Sequence, residues 1–172
     1  MNPSLNLLFA RRSVRRYAPG EIADATLRDL LEAAMAAPSA CCKDPAEFIV
    51  VRDQARREAL AAVLPNGQML PQAPVAIVVC GDLQRAHSGE LSYLLQDCSA
   101  AIENLLLAAH ALGLGACWLG VHPRSERLTQ LAAMFGLPSH IVPVAVIALG
   151  RPAETPAPRT RWRAEAVHQE SW

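Results

Sequence analysis

The chain has 172 residues, 52% of them hydrophobic and 19% charged, and its 16 Lys plus Arg balance its 16 Asp plus Glu to a formal net charge of zero. This length predicts one domain, 1–172, that can bury roughly 70% of its unfolded surface. Overall neutrality excludes a long-range field drawing the protein to nucleic acid or to a membrane, and no stretch approaches 18 uninterrupted apolar residues. The N-terminal segment lacks the basic start of a signal peptide, so a cytoplasmic protein is expected.

Residues 3–10 read as a short helix with Leu5, Leu8 and Phe9 on one side, ending near Arg12. Arg11-Arg12-Ser13-Val14-Arg15-Arg16-Tyr17 follows, four arginines and a hydroxyl within six residues. Val14 and Tyr17 suggest that one side of this segment packs inward while the guanidinium groups stay accessible. Planar, permanently charged and bidentate, those groups suit a phosphate. At this point a phosphate cradle, a solvated basic face and a nucleic-acid patch all remain open. Ala18-Pro19-Gly20 breaks the chain, and Asp24 is the expected N-cap of a helix over 25–36 with Leu27, Leu30, Leu31, Ala34 and Met35 at helical spacing.

Ala37-Pro38-Ser39 stops that helix, 47–51 reads as a strand, and 53–63 returns to helical spacing. Residues 64–74 form a proline-bearing loop of a length that favours function over simple connection. The continuous apolar run at 75–80 predicts a central strand covered on both faces. The longest helix runs over 90–112 on a broad apolar stripe from Leu91 to Leu112, with small residues along it that allow close helix approach. Gly113 or Gly115 caps it, 116–120 is strand-like, 125–135 is a helix, and 142–150 is the last core strand. The proline- and arginine-rich tail, 151–172, is expected to pack on a surface. Helices and strands in this alternation indicate an α/β or α+β sandwich, without fixing strand order or direction.

No side chain stands out as an acid, base or nucleophile. The five cysteines are odd in number with no CxxC spacing, and the five histidines are ungrouped, so neither a disulfide framework nor a metal site is indicated. Cys80, Cys98 and Cys117 read as inert core residues, Asp97 as a surface or packing carboxylate, and His110 as a partner of its helix dipole. Gly113-Leu114-Gly115 with Gly120 fails as a dinucleotide fingerprint because the order is helix, glycines, strand. Chemistry carried by a cofactor is the reading that remains.

With these blocks in order, the chain resembles the FMN-dependent nitroreductase family in its compact form. The resemblance rests on the 11–17 segment, Ala36-Ala37-Pro38-Ser39-Ala40 before a strand, Ala73-Pro74-Val75-Ala76-Ile77, Asp97 in the long helix, 113–120, and Pro143 to Pro152. It implies an α+β fold with a mainly antiparallel sheet flanked by helices, in a homodimer with FMN at the subunit interface. It further implies that Arg11, Arg12, Ser13 and Arg15 hold the FMN phosphate with Arg159 and Arg161, Arg163 competing for the last contact. Pro38, Ser39, Ala40 and Cys42 would reach the ring from the partner subunit, while the turn at Trp118, Leu119 and Gly120 would offer backbone N–H groups to the ring edge. Asn66 or Gln68 is a further implied contact from the loop before the central strand. NADH or NADPH would supply hydride, and a nitroaromatic, quinone or similar small molecule would accept it, with no role for nucleic acid or membrane.

The chain departs from the family pattern where Cys42 replaces an amide and Asp44-Pro45-Ala46 replaces Gln-Pro-Trp. Asp44 beside the ring would disfavour an anionic reduced flavin. Those departures motivate a second reading, a non-enzymatic flavin-binding protein. A third, without flavin, is a small regulatory module that binds nucleic acid through the arginine segment.

Overall fold

A computed structural model of the chain describes residues 2–172. Its elements are a 3₁₀ turn at Pro3–Leu5, α1 (Asn6–Ala10), β1 (Tyr17–Ala18), α2 (Asp24–Met35), β2 (Ala46–Val51), α3 (Gln54–Val63), β3 (Val75–Asp82), α4 (Leu91–Ala111), β4 (Gly115–Gly120), α5 (Ser125–Phe135) and β5 (Ile141–Pro152). The five strands form one sheet in which every named pair is antiparallel. β5 is its hub, pairing with β3, β4 and, through Arg151 and Pro152, with β1. β2 pairs with β3 and forms one edge of the sheet, while β1 and β4 both lie against β5 at the other.

Side chains alternate across a strand, and here the alternation divides two cores. Val75, Ile77 and Val79 of β3 join Leu30 and Ala34 of α2 and Leu94, Ile102 and Leu105 of α4 on one face. Ala76, Val78 and Cys80 join Leu60 of α3 and Leu131 of α5 on the other. The run 75–80 is fully covered, as its unbroken apolarity predicts. The register shifts between Val79 and Cys80, opposite Pro143 to Ala145, where proline cannot donate to the ladder.

The structure corrects several expectations. Ala23, not Asp24, is the N-cap of α2; Asp24 is its first helical residue, and its carboxylate pairs with Arg52 at 2.6 Å, a surface contact that replaces a capping bond. Asp53 does cap α3, accepting from the N–H of Arg56 at 2.9 Å. Met35, Leu91 and Leu112 lie on the predicted stripes but are exposed, since each sits at a helix end beyond the sheet's cover. Gly113, at φ 72°, follows the C-cap of α4, whereas Gly115 opens β4. The tail packs only as far as Arg159; residues 160–172 are exposed throughout.

Candidate functional site

The arginine segment is fixed from below. α1 ends at Ala10, and the chain then runs extended beside β4, with a parallel bridge between Ser13 and Ala116 and a bond from the Val14 N–H to the Ala116 carbonyl at 3.0 Å. Val14 and Tyr17 are buried, as their spacing suggests. Two glycines make room for them: a Cβ on Gly115 would lie 2.7 Å from Val14 Cγ1, and one on Gly150 would lie 2.8 Å from Tyr17 Cδ1. The Tyr17 hydroxyl has the carbonyls of Val14 (2.8 Å) and Ala148 (3.2 Å) as acceptors, and burial raises its pKa.

The tail returns alongside this segment. The Ala153 N–H donates to the Arg16 carbonyl at 2.9 Å, and Arg12 donates to the Ala157 carbonyl. Glu154 accepts from the N–H groups of Arg15 (2.6 Å) and Arg16 (3.2 Å) and from Arg16 Nε (3.2 Å). Those bonds, the Arg15 N–H foremost, hold the Glu154 carboxyl below its ordinary range. The result is a cleft of about 430 Å³ lined by Arg11, Arg12, Ser13, Arg15, Arg159 and Arg161, with Leu8. Arg16 is drawn aside by Glu154, and Arg163 does not line the cleft. Arg11 has a carboxylate partner, Glu103 of α4 at 3.4 Å; among the described residues Arg15, Arg159 and Arg161 have none.

A second cleft, of about 360 Å³, adjoins the first at Arg15 and is lined by Trp118, Leu119, Gly120, Asn66, Gln68 and Arg127, among others. Residues 118–120 are the end of β4 rather than a turn. Successive residues of a strand point their main-chain groups to opposite sides. The alternation that turns the Ala116 carbonyl away from β5 therefore turns those of Trp118 and Gly120 the same way, and the Gly120 carbonyl accepts from Arg127 at 2.8 Å. Leu119 is buried, Trp118 is 37% exposed, and a Cβ on Gly120 would meet nothing within 4 Å. The 64–74 loop that forms one wall is pinned by Arg57, which is buried and donates to the carbonyls of Leu70 (3.2 Å), Pro71 (2.8 Å) and Ala73.

Pro38 and Ser39 line a third cleft, of about 270 Å³, that shares no lining residue with the other two. Asp97, 7% exposed, reaches from α4 to accept the Ala40 N–H at 2.9 Å, which makes it a packing carboxylate. Its Oδ2 is buried with no hydrogen-bond partner among the described residues. Ser39 and Asp44 brace the loop further, Ser39 Oγ lying 2.5 Å from Asp44 Oδ1 and accepting the Asp44 N–H at 2.9 Å. Cys41, Cys42 and Asp44 sit in the left-handed region at φ 51°, 52° and 48°, and both cysteines are exposed.

The structure thus gathers Arg11, Arg12, Ser13, Arg15, Arg159 and Arg161, sets Leu119 and Gly120 next to them, and keeps Pro38, Ser39, Ala40 and Cys42 apart. Sequence reasoning missed Arg57, Arg127 and Glu154. Arg127 and Glu154 carry no periodic signal, and a charged residue inside a helix pattern reads as solvated until its burial is known.

The nitroreductase family pattern matches residues 8–68 and 61–151. The chain belongs to the nitroreductase family. It is 42% identical over 170 residues, covering 98% of this chain and 87% of the relative, to a Methanothermobacter thermautotrophicus protein named "Putative NADH dehydrogenase/NAD(P)H nitroreductase". An oxygen-insensitive NADPH nitroreductase from Salmonella typhimurium is 31% identical over 182 residues, 99% of this chain and 75% of that protein. Among solved structures, an FMN-dependent nitroreductase from Clostridium difficile superposes with a TM-score of 0.89 at 28% identity, covering 98% of this chain and 99% of the other. The sheet and its flanking helices are therefore the nitroreductase fold. Among the described residues, no helix is long and apolar enough to cross a membrane.

Proposed function

We propose that this nitroreductase-family chain is an FMN-dependent oxidoreductase that takes hydride from NADH or NADPH and delivers it to a nitroaromatic, a quinone or a similar small acceptor. The observation carrying this reading is the junction of two clefts at Arg15: one ringed by guanidinium groups and free of carboxylates, the other bounded by an outward-facing strand edge. A mononucleotide carries a dianionic phosphate at one end and a flat hydrogen-bonding ring at the other, and the two clefts match those ends in that order. The residues present fit FMN.

When bound, FMN supplies the hydride chemistry. Arg11, Arg12, Ser13 and Arg15, with Arg159 and Arg161 from the tail, hold the phosphate through charge-assisted bonds. The main-chain edge at Trp118 to Gly120 orients the ring from one side, with Asn66 or Gln68 on the facing wall. The oriented N–H groups do this without an acidic side chain and need no reorganisation as charge develops. Leu119 contributes buried apolar surface that excludes water.

Pro38, Ser39, Ala40 and Cys42 come to the ring from a second copy of the chain. What supports this is their separation from the Arg15 junction within one protomer and the apolar surface left bare on the N-terminal 3₁₀ turn, α1 and the tail, where Leu5, Leu7 and Leu8 are exposed and Trp162 is 76% exposed. Asp44 would arrive with that loop, its carboxylate already engaged by Ser39.

Purified protein should be yellow, or become so on addition of FMN, and should bleach on anaerobic addition of NADH or NADPH. Arg15→Ala should weaken FMN binding by about 1.5–3 kcal/mol, the worth of a bond to a charged group. Unchanged affinity in both Arg11→Ala and Arg15→Ala would place the phosphate elsewhere, and bound flavin that stays oxidised would favour sequestration over catalysis.

A further inference from the structure

The ring cleft holds a cation that phosphate binding leaves free. Arg127 lines that cleft but not the phosphate cleft, so it stands on the side away from Arg11, Arg12 and the tail arginines. It is half-buried, and among the described residues no carboxylate lies in salt-bridge range of it; its neighbour Glu126 accepts instead from Gln130 at 3.4 Å. One of its five donors is spent on the Gly120 carbonyl at 2.8 Å, which orients the guanidinium and leaves the other four. Arg127 is also the third residue of α5, in the first helical turn, where a positive side chain opposes the helix dipole. A cation kept at an unfavourable helix position, tethered, unpaired and facing a cleft has the attributes of an anion anchor. Trp118 to Gly120 of β4 border the same cleft.

The geometry points to Arg127 as the residue that selects the acceptor: the nitroreductase cleft takes aromatic or quinoid acceptors bearing a carboxylate or sulfonate, which the free donors of Arg127 engage. This rests on the FMN reading above, with Arg15 committed to the cofactor phosphate. Arg127 is a binding and specificity residue and moves no proton or electron.

The test is equilibrium binding to FMN-loaded protein with no electron donor present, comparing 4-nitrobenzoate with its neutral isostere 4-nitrobenzamide by calorimetry. The carboxylate should bind about tenfold more tightly or better, the scale of one charge-assisted bond. The preference should shrink as salt rises, vanish in Arg127→Gln and survive in part in Arg127→Lys. The kcat/KM ratio for the same pair should follow it. Equal binding of the two ligands, or a preference that persists in Arg127→Gln, overturns the assignment, and so does loss of FMN from Arg127→Gln, which would make Arg127 a cofactor residue. A wild-type protein that takes up no FMN sinks the cofactor reading instead, and the ligand pair measured on that flavin-free protein still decides for or against an anion anchor at Arg127.

Discussion

Replacing Asp97 by alanine should free the 38–44 loop while leaving the rest of the molecule nearly as stable as before. The loop holds three non-glycine residues at positive φ, each costing about 1–2 kcal/mol, so on the order of 3–6 kcal/mol favours its relaxation. Against this stand the Ser39–Asp44 brace and the bond from the Ala40 N–H to Asp97 Oδ1, the latter worth about 1.5–3 kcal/mol because its acceptor is charged. Deleting the carboxylate also removes the partnerless Oδ2, a buried group whose desolvation costs about 1–3 kcal/mol. The two terms largely cancel in the global balance, because the exposed loop can give its freed N–H to water. Urea denaturation should therefore show a loss below about 1.5 kcal/mol. Hydrogen exchange of the Ala40 amide should nonetheless speed up by roughly 10- to 100-fold, the equivalent of the lost bond. Asp97→Asn, which keeps the acceptor, should protect that amide nearly as wild type does. An Ala40 amide that exchanges no faster in Asp97→Ala, or a global loss above about 3 kcal/mol, would refute the reasoning. In a dimer whose second copy delivers this loop to the ring, FMN affinity should fall in Asp97→Ala and recover in Asp97→Asn.

Two further outcomes are expected. Burial raises the Cys80 and Cys98 thiols to about 12 and lifts Cys117 as well, while Cys41 and Cys42 are exposed in one protomer, so a thiol-reactive chromophore at pH 8 should label at most two of the five cysteines in folded protein, Cys42 dropping out where the proposed dimer covers it, and all five in denaturant; fast labelling of a third would contradict the packing. Glu154 has a carboxyl pKa lower in the folded than in the unfolded chain, so its contribution is present above the ordinary carboxylate value of about 4.3 and is lost as pH falls through the lower folded one. Wild type should therefore exceed Glu154→Gln in stability at pH 6–8, with the gap closing below about pH 4. A gap that stays constant across that range would show that the charge of Glu154 is not what secures the tail.

The central strands and long helices were legible because each buries a periodic face: the run 75–80 had no polar side to offer, and α4 repeats its apolar steps for five turns. β1 was not, since a two-residue strand exists only through its pairing with Arg151 and Pro152. Asp24 was misplaced by one residue because the capping preference cannot see Arg52, which arrives from the end of β2. At the site, the inward sides of Val14 and Tyr17 followed from spacing. The meeting of residues 11–15 with Arg159 and Arg161 did not: nothing local links positions almost 150 apart, and only the family pattern joined them. Glu154, which draws the tail there, lies in a stretch without periodicity. Arg127 and Arg57 share a helical charge pattern with many solvated arginines, and only the fold shows that one is buried under a loop and the other borders a cleft.

If the outer edge of β4 carries the ring contacts, as proposed above, that has a bearing on how such proteins diverge. Main-chain amides survive every codon change except one to proline, so the partly exposed Trp118 can be exchanged without erasing the main-chain groups of this edge. Descendants of one ancestral scaffold can thus acquire new acceptors by drift along this rim, while the electron-transfer apparatus is inherited intact.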